Sequence, residues 1–127
     1  MTKSRPDVLQ GKTRKLKTGC GNLYVTVNEL NGKPVEVFCK LGKAGGCSSS
    51  QVETMGRLIS LALRAGVEMG VIVRQLQGIS CHQTTGFGNS KITSCSDGVA
   101  KVLVDWAKEI PSDVEWMKEE KDDHKKS

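Results

Sequence analysis

The chain of 127 residues has the length of one domain and can bury about two-thirds of its unfolded surface around a single core. Hydrophobic residues make up 37% of the chain and aromatic residues only 4%, so an aliphatic core is expected. The five cysteines are an odd number without a C-x-x-C pair, and no apolar run approaches the roughly 20 residues of a membrane span. These features exclude a spanning protein, and we expect a cytoplasmic protein in a reducing compartment.

The net charge of +5 comes largely from basic residues near the N-terminus, which are Lys3, Arg5, Lys12, Arg14, Lys15 and Lys17. Such a cluster either binds phosphate or forms a solvated basic face. The net charge is modest for a nucleic-acid-binding protein, so a nucleic-acid-binding module is the less favoured interpretation and no DNA partner is expected.

The N-terminal half predicts β-structure. Residues 1–12 are polar and predict a flexible basic arm, with order beginning near Thr13. Residues 13–18, 23–27 and 35–39 predict three strands, the last two rich in β-branched and aromatic residues, and Asn31-Gly32 between these two is typical of a hairpin turn. The pattern predicts a three-stranded antiparallel meander.

The next segment predicts a first helix. A Gly-rich and Ser-rich stretch at 42–50 leaves the third strand, and Ser50 and Glu53 have capping-box spacing, so the helix is expected to follow Ser50 and to end at Gly66. Its predicted buried face comprises Val52, Met55, Leu58, Ile59, Ala62 and Leu63.

Two further helices are predicted, one from Met69 to Leu76 with its end at Gly78 and one starting at Ser94. The second of these helices is expected to bury four residues against the core, namely Val99, Val102, Leu103 and Trp106. Residues 111–127 predict a charged C-terminal helix or tail. The sequence thus predicts an α+β domain over residues 13–110, with an antiparallel meander followed by two to four helices and the sheet packed as one layer against them.

The connection at 42–50 is a first candidate anion site. Unsatisfied amides at a helix start carry partial positive charge, so Gly45 and the cation Lys43 can hold a phosphate there. The segment lacks the order of a nucleotide-hydrolase P-loop. The alternative is that its glycines serve only a tight strand-to-helix connection.

The helix start at Thr93 to Asp97 is a second candidate. Ser94 is expected to be the N-cap and Asp97 its capping partner. The preceding residues 79–92 predict a surface loop, in which Phe87 can stack, Asn89 can form hydrogen bonds and Lys91 supplies charge. Either this loop and the helix end bind a nucleotide together, or the motif only caps the helix.

Arg57 and Arg64 are a third candidate, because they lie seven residues apart on one face of the first helix, with Ser60 and Leu61 expected to complete the stripe. Two guanidiniums can bind phosphates in bidentate fashion. The alternative is an exposed face with arginine stems over apolar neighbours.

The sequence offers little for catalysis or metal binding. His82 and His124 have no nucleophile in a suitable setting, and Cys81 beside His82 lacks the spaced partners of a zinc site. We expect no catalytic residues, no metal site and no cofactor, and hence a binding protein.

Four segments of the chain together resemble the TSCPD domain, from about Lys12 to Trp106. They are CGNLYVTVN at 20–28, GKPVEVF at 32–38, RLISLALRAGV at 57–67 and TSCSD at 93–97. Ser96 stands where the family motif has proline, which keeps the cap and loosens the helix entry. That domain is best known as a C-terminal segment of adenosylcobalamin-dependent ribonucleotide reductases, but the catalytic barrel and cobalamin site of those enzymes are not in this sequence.

The resemblance extends to free-standing phage proteins that counter the Thoeris defence by sequestering glycocyclic ADP-ribose, with relatives that also sequester cyclic oligonucleotides of the CBASS defence. It implies an oligomer, a dimer or a hexamer built from dimers, that binds a cyclic nucleotide in the host cytoplasm and does not degrade it. An accessory domain or subunit of an adenosylcobalamin-dependent ribonucleotide reductase is the alternative.

Overall fold

The structure is a computed structural model that describes residues 5–42, 46–79 and 94–109, apart from the side chain of Cys47. Three strands come first: β1 (Gln10–Thr18), β2 (Gly21–Leu30) and β3 (Lys33–Gly42). Three helices follow: α1 (Gly46–Arg64), α2 (Met69–Leu76) and α3 (Cys95–Lys108). The strands form one antiparallel sheet in the order β1-β2-β3, with the helices packed against it. The predicted α+β class and the predicted meander are confirmed.

The turn between β2 and β3 is the predicted one. Asn31 and Gly32 have φ angles of 54° and 79°, the paired left-handed conformation of a two-residue hairpin loop. β1 begins at Gln10 and not near Thr13, because β2 continues to Leu30 and its residue Glu29 provides a pairing partner for Gln10.

One face of the sheet forms the core. Alternate residues of β2 and β3 are buried there, namely Leu23, Val25, Val27, Val37, Cys39 and Leu41. The four α3 residues predicted to face inward, Val99, Val102, Leu103 and Trp106, are all buried. The outer face of the sheet therefore carries the intervening residues of each strand.

The start of α1 differs from the prediction, since the helix begins at Gly46 and Ser50 lies inside it. Within the helix the Thr54 hydroxyl donates to the Ser50 carbonyl at 2.9 Å. Glycine and serine have poor helix propensity, but contacts with β3 stabilise the helix and override that local preference.

α1 lies along the free edge of β3 at very short range. The Ser60 hydroxyl accepts from the Val37 amide at 2.8 Å and donates to the Val37 carbonyl at 2.9 Å. A Cβ atom built on Gly56 would lie only 2.9 Å from the Cys39 amide nitrogen. The helix thereby covers a strand edge that would otherwise expose unpaired backbone groups.

This contact also corrects the predicted buried face of α1. Leu58 is 61% exposed, although its spacing placed it in the core. Because Gly56 and Ser60 face the sheet edge, a residue two positions after Gly56 points about 200° away from that edge. Val52 and Ile59 are buried as predicted.

The helix ends agree with the predictions. Gly66 has φ 94°, its amide donates to the Leu63 carbonyl at 3.1 Å, and the Val67 amide donates to the Ala62 carbonyl at 3.0 Å, which is a Schellman motif. α2 has the predicted bounds and precedes Gly78, whose φ is 77°. In the described segments, no helix has the length and apolar character needed to cross a bilayer.

Candidate functional site

The start of α3 is capped as predicted. Ser94 is extended, and its hydroxyl accepts from the Asp97 amide at 3.1 Å. The same hydroxyl is 2.8 Å from that of Ser96. Ser94 is buried, so this serine lies within the fold.

Asp97 joins α3 to the end of α2. It is 4% exposed; its Oδ1 accepts from the Gly78 amide at 2.9 Å, and its Oδ2 lies 2.6 Å from Nζ of Lys101. A carboxylate in the first turn of a helix also offsets the positive end of the helix dipole. Ser94 and Asp97 thus form a structural junction between two helices.

The two arginines of α1 differ in environment. Arg57 is 79% exposed, and its guanidinium lies 3.7 Å from the carboxylate of Glu53, one helical turn earlier. Arg64 is half-buried, and its Nε donates to the Ser60 carbonyl at 3.4 Å. Ser60 is buried against β3, so only Leu61 of the two intervening residues belongs to the exposed stripe.

The outer face of the sheet carries candidate binding residues that the sequence reasoning missed. Phe38 on β3 is 53% exposed and lies opposite Thr26. Tyr24 lies over Gly42, where an added Cβ would be 3.2 Å from its ring, and opposite the exposed Lys40. The signal was present in the sequence, because inward residues at alternate positions of β3 place Phe38 and Lys40 on the other face.

The packing of α1 on β3 sets the levels of its two arginines relative to Phe38. The contacts of Gly56 with Cys39 and of Ser60 with Val37 fix how far α1 is shifted along β3. Arg57 follows Gly56, and Arg64 comes one turn after Ser60. Measured along the axis of α1, the position of Phe38 therefore falls between those of the two arginines. They are about 10 Å apart along the axis, given the rise of an α-helix.

The N-terminal basic cluster is divided between the two faces of the sheet. Lys12 and Arg14 lie on the core side of β1 and form ion pairs with Glu109 after α3, the first at 3.2 Å. Lys15 and Lys17 alternate with them and lie on the outer face. The cluster therefore does not form a single basic surface.

Arg5 instead joins the arm to β3. Its Nε and Nη2 atoms donate to the two carboxylate oxygens of Glu36 at 2.9 and 3.0 Å, and the Asn28 amide donates to the same carboxylate at 2.7 Å. Burial raises the pKa of Glu36, but the hydrogen bonds from Arg5 and Asn28 and the charges of Arg5 and Arg64 outweigh it, so that its pKa lies below the ordinary value.

Six predicted site residues lie outside the described part of the chain: Lys43, Gly45, Phe87, Asn89, Lys91 and Thr93. Cys81, His82 and His124 lie outside it as well. Within the described ranges, no group of three or more His, Cys, Asp and Glu side chains is arranged to hold a metal ion. A shallow depression of about 400 Å³ near the β2–β3 turn, lined by residues 8–10 and 29–32, includes none of the predicted site residues.

A family model described as the TSCPD domain matches residues 1–106. No curated protein and no solved structure matches the chain.

Proposed function

Because the chain belongs to the TSCPD domain family, we propose that it binds a cyclic nucleotide immune signal and sequesters it without degrading it. The proposed ligand class is glycocyclic ADP-ribose, with CBASS cyclic oligonucleotides as related ligands. In this proposal the protein is a phage-type anti-defence protein that acts as a homo-oligomer.

The observation that carries this proposal is an exposed aromatic ring on β3, the strand against which the arginine-bearing helix α1 packs. A cyclic adenine nucleotide offers a base that stacks and a phosphate group that accepts charged hydrogen bonds. Phe38 is 53% exposed, and α1, which packs against β3, carries Arg57, itself 79% exposed. Arginine binds phosphate oxygens in bidentate fashion, and aromatic rings stack on bases without regard to base identity.

The junction at the start of α3 has a supporting role in this proposal. Ser94 and Asp97 fix where α3 begins. Among the predicted ligand contacts, we therefore assign direct phosphate binding to Arg57 and Arg64 before Ser94 and Asp97.

Calorimetric titration of the purified protein with glycocyclic ADP-ribose tests the proposal. We expect saturable binding, and recovery of the unchanged ligand after the complex is denatured. Absence of binding to this ligand and to cyclic di- and trinucleotides refutes the proposal, as does recovery of a cleaved product.

A matched set of variants tests the surface itself. Arg57→Ala removes one charge-assisted contact, worth about 1.5–3 kcal/mol, and is expected to weaken binding at least tenfold. Phe38→Ala is expected to weaken it as well, by roughly 1–3 kcal/mol for one stacked base. Arg74→Ala is the control, because Arg74 is an exposed arginine on α2. Equal affinities for all three variants contradict the assignment of this surface.

The alternative function is an accessory subunit that docks on an adenosylcobalamin-dependent ribonucleotide reductase. One observation favours it: Leu58 and Leu61 on α1 are 61% and 52% exposed, as expected of a surface that meets another protein. Co-purification with a reductase that lacks this domain, lost in Leu58→Asp, is the outcome that would favour it over sequestration.

A further inference from the structure

Within the described ranges, the outer face of the sheet remains accessible to solvent. The helices contribute their buried residues to the core on the opposite face. Five residues of the outer face are exposed, namely Thr13, Lys15, Lys17, Phe38 and Lys40. A partner can therefore contact this face without any change in the core.

One row of side chains across the sheet places an aromatic ring between two lysines. Tyr24 on β2 pairs with Lys15 on β1 and with Lys40 on β3, so the three side chains lie next to one another on the outer face. Directly opposite residues have Cβ atoms about 4.5–5.5 Å apart. Both ammonium groups can therefore reach a ligand that covers the ring, and Lys17 lies in the adjacent row.

A second ring lies diagonal to the first. Phe38 precedes Lys40 by two positions, and such diagonal neighbours on adjacent strands are about 7–8 Å apart. The ring of Tyr24 is held close to the sheet, because a Cβ atom added to Gly42 would lie only 3.2 Å from its Cε2 atom. Phe38 is exposed and Tyr24 is half-buried, so each ring keeps surface on which a flat base can stack.

The charge of the outer face is positive, because the acidic residue Glu36 is already paired with Arg5. In the part of the chain that the structure describes, no carboxylate forms an ion pair with the ammonium group of Lys15, Lys17 or Lys40. The whole chain has a net charge of only +5, but this distribution leaves three uncompensated cations around the two rings. A second copy that presented the same face would bring like charges together, whereas an anionic partner is attracted.

We propose that the outer face binds single-stranded nucleic acid: unpaired bases stack on Tyr24 and Phe38, and the three lysines bind phosphates. Aromatic rings accept the face of any base, and lysines neutralise the backbone with release of its counterions. A duplex keeps its base faces stacked inside the helix, so the two rings favour a single strand. Composition alone did not indicate this partner, because only the fold brings lysines of β1 and β3 into one row.

Fluorescence anisotropy of a labelled oligodeoxythymidylate tests this interaction with the full chain. A strand of about ten nucleotides falls within the length that one binding surface of this type covers. We expect saturable binding and an affinity roughly tenfold higher than for a duplex of the same length, whose bases cannot stack on the rings. Three neutralised phosphates predict that the logarithm of the affinity falls with the logarithm of the salt concentration with a slope of about −2.

Substitutions separate the stacking contribution from the charge contribution. Tyr24→Leu removes one stacked base and is expected to weaken binding roughly five- to hundredfold, while Tyr24→Phe keeps the ring and the affinity. Lys15→Gln is expected to make the salt dependence shallower by about 0.7. Lys108 is an exposed lysine on α3, so Lys108→Gln makes the same change in charge away from the outer face and is expected to leave the slope unchanged.

Three results overturn this assignment, which are absence of binding at low salt, equal affinity for the duplex, and wild-type affinity in a folded Tyr24→Leu protein. Circular dichroism verifies the fold of each variant. If Tyr24→Leu does not fold, the salt dependence of Lys15→Gln decides, and a slope equal to that of the wild type overturns the assignment as well.

A membrane surface is the competing partner for a basic face. Cosedimentation with phosphatidylserine vesicles that is lost in Lys15→Gln, without binding of the oligonucleotide, overturns the assignment to nucleic acid. Binding of glycocyclic ADP-ribose is tested at Arg57, which is not part of this surface, so the nucleic-acid surface and the proposed function can fail separately.

Discussion

Replacing Gly56 with alanine tests the close approach of α1 to the edge of β3, because two effects of known size oppose each other there. In a helix interior, alanine is favoured over glycine by about 0.8–1.0 kcal/mol, so propensity alone predicts a more stable protein. The new Cβ, however, would lie 2.9 Å from the amide nitrogen of Cys39 and 3.2 Å from the carbonyl oxygen of Val37. Both atoms belong to the backbone of a paired strand, so neither can rotate away.

The helix must therefore move outward, and the two Ser60 hydrogen bonds to Val37, at 2.8 and 2.9 Å, lengthen. Overpacking of this kind costs roughly 1–3 kcal/mol, which exceeds the gain in propensity. We expect Gly56→Ala to lower the free energy of unfolding by about 1 kcal/mol, from the difference of these two effects.

Urea unfolding, monitored by circular dichroism, measures this difference. The dependence of the free energy of unfolding on urea concentration is compared between the two proteins. The control is Thr54→Ala on the same helix, where an exposed threonine bonds only to the local Ser50 carbonyl and a change within about 0.5 kcal/mol is expected. A Gly56→Ala protein that is more stable than the wild type, by the amount that propensity predicts, would refute the close contact between helix and strand.

Three further predictions concern buried polar groups. Ser60→Ala leaves the amide and carbonyl of Val37 without their partner, and unfolding by urea should show a loss of about 2–3 kcal/mol; a loss below 0.5 kcal/mol contradicts the bridge. Asp97→Ala removes the acceptor of the Gly78 amide and should cost roughly 1–3 kcal/mol in urea unfolding, whereas Asp97→Asn, which keeps an acceptor, should cost less. The pKa of Glu36 is lower in the folded chain than in the unfolded one, so its contribution is complete above the unfolded pKa and is lost as the pH falls through the folded pKa. Thermal melts from neutral to acidic pH should thus show a smaller loss of stability for Glu36→Gln than for the wild type. Parallel plots of stability against pH for the two proteins would contradict this.

The parts of the fold that could be predicted from the sequence are those whose signals are local. Asn31-Gly32 takes two positive φ angles with little strain, which fixes the β2–β3 hairpin, and Gly66 supplies the left-handed residue that ends α1. Ser94 and Asp97 have the spacing of a cap and form it. In each case the residue type and its neighbours within four positions contain the whole signal.

The parts that could not be predicted depend on contacts across the fold. The exposure of Leu58 follows from the way Gly56 and Ser60 meet β3, and helical periodicity does not encode which small residues approach a strand edge. Likewise, the sequence does not indicate that Thr18 lies between Cys20 and Cys95, because their proximity requires α3 to pack near the β1–β2 turn.

The described part of the TSCSD segment, from Ser94 to Asp97, has a structural role in the junction between α2 and α3. Its serine hydroxyl caps the helix, and the Asp97 carboxylate accepts the amide that follows α2 and pairs with Lys101 on the next turn of α3. An anion that approached this helix end would meet a carboxylate already buried there, and two negative charges in one site repel each other. For the proposed anionic ligand, we therefore expect specificity to come from residues outside this capping junction. On this argument Arg57 and Phe38, and not Ser94 and Asp97, are the positions at which substitution should change ligand affinity more than stability.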